Sequence, residues 1–334
     1  MNYKTPVVLA IDLGTTSVKT ALYDSSGKMI KLSQREQKLS FPNPGWVEQS
    51  LFDTYKLLIE CVREIAPGIK VDAIVLSVQR GSTVPISSDG NPLTNLMVWM
   101  DERGKPYVEM IEAEITPSYY YQIAAQPIVT ITGVSKILWL YHQAKEIYDQ
   151  AEVIGNQQTI FLKWLGCEDW VIDESVGSFF FPFVIEKKEW SKELAQRLNI
   201  PIEKLPRLVK ANEVVGYLSK SAAEDLGLAA GIPLIPGGGD GQCAGVGCGA
   251  TESGIAMVNI GTSTGVQVFL QKPFYDPSEV YNCLAHVIPG AWDLEGNTQA
   301  SGLAFKWFRD EFSSRNKNVD MDGSYDELVA DANR

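Results

Sequence analysis

The sequence predicts an α/β fold in which a mixed sheet is flanked by helices and two related domains face one cleft. Three observations carry this. The chain has 334 residues, 45% of them hydrophobic, which exceeds the roughly 250–300 residues at which one core stops growing. Two far-separated segments, Val7–Tyr23 and Ile255–Leu270, repeat one pattern of apolar strand, small polar turn and second apolar strand. Between them, Gly231-Ile-Pro-Leu-Ile-Pro236 reads as a short buried strand and Cys243-Ala-Gly-Val-Gly-Cys-Gly-Ala250 as a small-residue helix, joined by a glycine-rich turn.

Taken in order, residues 1–39 give a hairpin and a third strand, with Asp24-Ser-Ser-Gly27 as a turn. Ser50 is a candidate N-cap, and Leu51, Tyr55, Leu58, Val62 and Ile65 fall on one helical face that packs into the core. Strands are expected at 71–78 and 84–87, with Asp89-Gly-Asn-Pro92 closing a turn. The aromatic runs Tyr119-Tyr-Tyr121 and Phe179-Phe-Phe-Pro-Phe183 lack interleaved basic residues, so they read as packing of an insert rather than as base-stacking platforms. Lys187-Lys188 reads as a solvated charge pair. His142, on a helix starting near Ser135, has no carboxylate or cysteine at ligand spacing and defines no metal site. A further helix is expected near Ser301–Arg309, followed by a polar linker and a last helix that the chain ends inside.

Composition narrows the function classes. The net charge of −12 lacks the basic footprint that a nucleic acid needs. The five cysteines, at 61, 167, 243, 248 and 283, show no CxxC spacing and read as reduced thiols of a cytoplasmic protein. No basic-then-apolar leader opens the sequence, and no apolar run reaches membrane length.

The chemistry concentrates in three places. Asp240 is a lone carboxylate in Ile235-Pro-Gly-Gly-Gly-Asp240-Gly-Gln, at the carboxyl end of a strand, where open α/β sheets bind ligands and where glycines admit a substrate close to the backbone. The turns of the two hairpins, Gly14-Thr15-Thr16-Ser17 and Gly261-Thr262-Ser263, offer hydroxyls and successive N–H groups that can wrap an oxyanion such as phosphate. Asp12, just before the first turn, has the hard oxygens that suit Mg²⁺ at nucleotide phosphates.

The chain resembles the FGGY carbohydrate kinases of the sugar kinase and actin superfamily, with xylulokinase-like features. The resemblance runs through Ile11-Asp-Leu-Gly-Thr-Thr-Ser-Val-Lys19, Gly45-Trp-Val-Glu-Gln49, Trp99-Met-Asp-Glu-Arg103, Ser135-Lys-Ile-Leu-Trp139, Gly216-Tyr-Leu218, Gly237-Gly-Gly-Asp240 and Asn259-Ile-Gly-Thr-Ser-Thr-Gly265, in family order. It implies a ribonuclease H-like (actin-like ATPase) fold, with residues 1–248 as an N-terminal domain and 249–334 as the start of a second, incomplete one. It implies ATP-dependent phosphorylation of a sugar or polyol hydroxyl, with Asp240 as general base, Asp12 organising Mg²⁺, and Gly14, Thr15, Thr16, Ser17, Lys19, Gly261, Thr262 and Ser263 holding ATP. The sugar pocket draws on Gln79, Arg80, Trp99, Asp101, Arg103, Asp240 and Gln242. Three departures stand out. Arg80-Gly81 matches neither the Arg-Glu of glycerol kinases nor the Met-His of xylulokinases, Gly241 replaces the family's amide residue after the base, and Asp173 matches a family aspartate but equally suits a helix cap.

Two other motifs compete. Gly261-Thr-Ser263-Thr-Gly265, followed by Asp276 and His286, matches a serine-hydrolase elbow, but Val266-Gln-Val-Phe-Leu270 continues as a strand where the elbow needs a helix. Gly239-Asp240-Gly241-Gln-Cys-Ala244 matches a dinucleotide fingerprint, although Asp240 would repel a pyrophosphate. No G-x-x-x-x-G-K-[ST] occurs. Members of the family continue well past position 334, so the resemblance also implies uncovered strand edges and a homodimer as the expected association. The competing function class is a noncatalytic sugar-binding protein or pseudokinase.

Overall fold

The computed structural model describes residues 5–261, 263–298, 300–312 and 323–333. Its first sheet has six strands. In spatial order they are Gly216–Tyr217, Pro233–Gly239, Ala73–Val78, Val7–Leu13, Ser17–Asp24 and Met29–Glu36. The three central strands, Val7–Leu13, Ala73–Val78 and Pro233–Gly239, run parallel, and the others are antiparallel to their neighbours. Val7, Leu9, Ile11 and Leu13 alternate into the core at 1% exposure or less, as a period-two strand requires.

The helix Leu51–Ile65 covers one face of this sheet. Ser50 caps it by accepting from Asp53 N–H, and Leu51, Leu58, Val62 and Ile65 are buried as the spacing predicts. Burial of four such side chains contributes about 1.5–3 kcal/mol each. Tyr55 turns partly outward and gives its hydroxyl to Asp225 at 3.2 Å.

The second sheet is antiparallel throughout, in the order Ala256–Ile260, Thr264–Leu270, Trp292–Thr298, Asn282–Ala285. It is anchored on the aromatic insert: Tyr121 gives its hydroxyl to Tyr281 O at 2.6 Å, Ala285 N–H donates to Ser178 Oγ at 3.1 Å, and the Trp292 indole donates to Ile185 O at 2.9 Å. Tyr120, Phe180, Phe181 and Phe183 are almost fully buried, as the packing reading expects.

Two expectations are corrected. The helix after the glycine run spans Asp240–Gly247, not 243–250, because Gly239 already has the extended backbone of an N-cap and Asp240 opens the first turn. The pair Lys187-Lys188 is solvated only in part. Lys187 reaches Glu189 at the surface, whereas Lys188 is largely buried against Glu174 at 3.4 Å, Ala291 O at 2.9 Å and the Trp292 ring.

Candidate active site

Parallel strands that end together form a rim. The carboxyl ends of Val7–Leu13, Ala73–Val78 and Pro233–Gly239 bring Asp12, the Gln79-Arg80 pair and Asp240 to one edge of the first sheet. Facing that edge, the second sheet closes a cleft of about 660 Å³ lined by Asp12, Gly14, Thr15, Thr16, Ser17, Lys19, Ser77, Arg80, Asp240, Gly261, Ser263, Gln267, Glu295 and Asn297, among others. Thr262 lies outside the described residues.

Register explains the surroundings of Asp12. It stands opposite Lys19 in the antiparallel neighbour and opposite Ser77 in the parallel one. Its Oδ2 accordingly meets Lys19 Nζ at 3.3 Å and its Oδ1 accepts from Ser77 Oγ at 2.9 Å. The turn that follows is held by Gly14 N–H to Ser17 O at 3.1 Å and by Gln37, which donates to Gly14 O. The Thr15 hydroxyl is already engaged on both sides, donating to Gln79 Oε1 at 2.7 Å and accepting from the Trp99 indole at 3.0 Å. A hydroxyl has one proton, so Thr15 can offer an oxyanion only its backbone N–H. The second turn is closed by Gly261 N–H to Ser263 O at 2.8 Å, and Gly261 O receives Gly302 N–H at 3.0 Å from the helix Gly302–Phe312.

Asp240 rises beside these turns. Solvent reaches its carboxylate from the cleft, while protein crowds it elsewhere; this desolvation raises its pKa above the ordinary carboxylate value, against the pull of Arg80 and of Gly241 N–H at 2.8 Å. The glycines around it are required by the packing. Gly237 has φ +63°, and a Cβ there would lie 1.8 Å from Leu76 O. At Gly241 a Cβ would meet Gln267 Nε2 at 2.4 Å. Cys243, in the same cleft, stays a thiol because burial pushes it up to about 12.

Arg80 spans both sheets. It pairs with Glu295 Oε2 at 2.7 Å and stacks its guanidinium 5.0 Å from the Phe179 ring. Burial pushes Glu295 up, but Arg80 and the amides of Gln267 and Asn297 more than offset it and leave it below the ordinary range. Two residues earlier Asp293 is pushed up to about 8, by burial first and by the Glu295 charge second, while Gln242 contacts it at 3.4 Å. Asp293 therefore carries its proton at neutral pH.

Several expected sugar-site residues lie off the cleft. Gln79 is buried and links Thr15 to Gln49 and Gln157. Gln242 is buried beneath the cleft floor. Asp101 and Arg103 have protein partners: Asp101 is wholly buried, accepts from Val47 N–H at 2.7 Å and from Arg103, and Arg103 also reaches Glu48 between the rings of Trp46 and Trp139. Neither lines the cleft. Asp173 caps Glu174–Gly177 by accepting from Ser175 and Val176 N–H. The hydrolase alternative fails on geometry, since Asp276 accepts from Ser278, Val280 and Tyr281 N–H and His286 Nδ1 accepts from Ile288 N–H. Among the described residues no cluster of three or more His, Cys, Asp or Glu side chains forms a metal cage.

Sequence reasoning missed Ser77, Gln267, Glu295 and Asn297. A signal existed: Asp293, Glu295 and Asn297 recur at period two, opposite Phe269, Gln267 and Gly265 in register.

The parallel strand ends of the first sheet and the antiparallel second sheet thus face each other across one cleft, which Asp12, Asp240 and two hairpin turns line. The chain belongs to the FGGY family of carbohydrate kinases, whose N-terminal domain model matches residues 7–247. It is 27% identical over 314 residues to a gluconokinase of Bacillus subtilis, covering 93% of this chain and 61% of that protein. It is 28% identical over 314 residues to a glycerol kinase of Thermococcus kodakarensis, covering 91% and 62%. The xylulose kinase of Rhodospirillum rubrum superposes with a TM-score of 0.90 at 19% identity, covering 97% of this chain and 66% of that one, a likeness of fold. The chain thus spans about three fifths of the length of the curated relatives it matches. No described helix is long and apolar enough to cross a membrane.

Proposed function

We propose that this chain serves ATP-dependent phosphorylation of a sugar or polyol hydroxyl, with residues 1–248 as the sugar-binding domain and 249–334 contributing the second phosphate turn. The observation that carries this reading is the convergence of Asp240, Asp12 and the two hairpin turns on one cleft. In the reaction, Asp240 accepts the proton of the attacking hydroxyl, which becomes acidic only late, so a carboxylate suffices as base. The donors of Gly14–Ser17 and of Gly261 and Ser263 hold the phosphates of ATP in line with that hydroxyl.

Asp12 fits Mg²⁺ as a single hard carboxylate, the donor set a cation shared with phosphate oxygens uses when no protein cage exists. Bound there, Mg²⁺ supplies neutralisation of phosphate charge. Lys19 beside Asp12 adds a second cation to the phosphate end.

The decisive experiment measures ADP release from Mg²⁺ATP across ketoses, aldoses and polyols, with Asp240→Asn as control. Turnover lost in the variant supports the reading. Sugar binding by the unmodified chain without ADP formation, both alone and in a version extended to the length of its relatives, would favour a noncatalytic binding protein instead.

A further inference from the structure

The cleft floor holds more hydrogen-bonding capacity than the protein itself uses. Arg80 gives one terminal nitrogen to Glu295 and leaves Nε and the other terminal nitrogen buried without partners. Gln242 and Gln267 turn their amide nitrogens toward Asp293 and Glu295, which leaves both amide oxygens buried and unpartnered. These groups crowd one stretch of backbone, since a Cβ on Gly239 would meet Gln242 Oε1 at 2.4 Å and Arg80 Cδ at 2.6 Å. Two donors and two acceptors left unpaired in one buried place are costly unless a ligand completes them.

Glu295 decides which ligand can. A free guanidinium is a two-armed receptor for a carboxylate, but here one arm and the charge are already answered by Glu295. That carboxylate is itself fixed by Gln267 Nε2 at 2.8 Å and Asn297 Nδ2 at 3.1 Å. The two cations among the described cleft-lining residues, Arg80 and Lys19, are each paired with an acid, and Asp240 adds a further carboxylate. A substrate carboxylate would meet like charge there. A vicinal diol would not, because each hydroxyl both donates and accepts and can bridge Arg80 to the oxygen of Gln267, which lines the cleft with it.

We propose that Glu295 is a specificity-determining residue: by pairing with Arg80 and orienting Gln267, it makes the cleft select an uncharged polyol or sugar over a sugar acid of the same length. The proposal rests on the carbohydrate-kinase reading for the identity of the cleft, and it concerns selection by charge. Beneath that lining, Asp293 engages the amide nitrogen of the buried Gln242 at 3.4 Å.

Calorimetric titration of the chain with glycerol, xylitol and D-xylulose, and with gluconate and xylonate at fixed ionic strength, tests this. Neutral compounds should bind at least about tenfold more tightly than aldonates, and Glu295→Gln should weaken neutral binding while narrowing or reversing that ratio. Aldonate preference in the unmodified chain, or an unchanged ratio in a folded Glu295→Gln variant, overturns the proposal and leaves the kinase reading standing. If Glu295→Gln does not fold, the preference of the unmodified chain decides, with Glu295→Asp as the second variant expected to keep its direction. Binding of neither class overturns the proposal, whereas neutral binding without ADP formation supports it and removes only the kinase reading.

Discussion

Lys136 Nζ donates to the carbonyl of Gly81 at 3.2 Å from a side chain with no solvent exposure. The same ammonium reaches the carbonyls of Thr130, Ile131 and Thr132 at 3.2, 3.4 and 3.5 Å. Gly81 has φ +67° and directly follows Arg80, so this cluster fixes the backbone that aims the guanidinium. Replacing Lys136 by Met should unpair these carbonyls, lower stability by ~2 kcal/mol and raise the KM for sugar more than it lowers kcat. Thermal unfolding and steady-state kinetics read the two effects. Burial pushes Lys136 down to about 7 against the pull of Asp101. The unfolded chain then binds more protons between pH 7 and the ordinary lysine range, so stability should rise over that window and lose this rise in Lys136→Met.

Asp240→Asn should abolish ADP formation while leaving sugar affinity within about an order of magnitude, because a general base contributes roughly 10²–10⁴-fold to rate and little to ground-state binding. Retained turnover would remove Asp240 from its role. The acid limb of kcat/KM in the unmodified protein should lie above the ordinary carboxylate range, following its raised pKa.

Asp293 gives a stability signature of opposite sign to Lys136. Its pKa, raised to about 8, means that the folded state holds a proton the unfolded chain has lost. The associated stability is fully present below about pH 4 and declines as pH rises toward 8, by up to ~1.4 kcal/mol per pH unit. Asp293→Asn should flatten this decline. Denaturant unfolding at a series of pH values checks it, and an unchanged slope would show that Asp293 titrates normally.

Gly237→Ala places a methyl against Leu76 O in a backbone conformation unsuited to alanine. Because the clash is with backbone inside a sheet, the neighbour cannot yield, and a loss of ~3 kcal/mol or more is expected. A melting temperature within one or two degrees of the unmodified chain would contradict the geometry.

Period-two strands, the Ser50 cap and the two hairpin turns were legible in the sequence because local rules fix them: alternating burial, an N-cap hydroxyl and glycine at tight turns. Asp12 and Asp240 were legible because a carboxylate in an apolar or glycine-rich run has no packing reason to be there. The partners of Asp101 and Arg103 were not legible, because Val47, Glu48 and two tryptophan rings, all remote in sequence or hidden by packing, complete them. Glu295 was missed for a related reason. Polar residues at period two normally mark the solvent face of a strand, and only the opposing sheet, which puts Arg80 over that face, turns it inward.

The threonine hydroxyl shared between Gln79 and the Trp99 indole makes one ring a built-in optical gauge. Trp99 is partly solvent-exposed and hydrogen-bonded to the very turn that faces the cleft. Its emission should therefore change when phosphate-bearing ligands reorganise that turn, allowing occupancy to be followed by fluorescence without a coupled enzyme, a label or turnover.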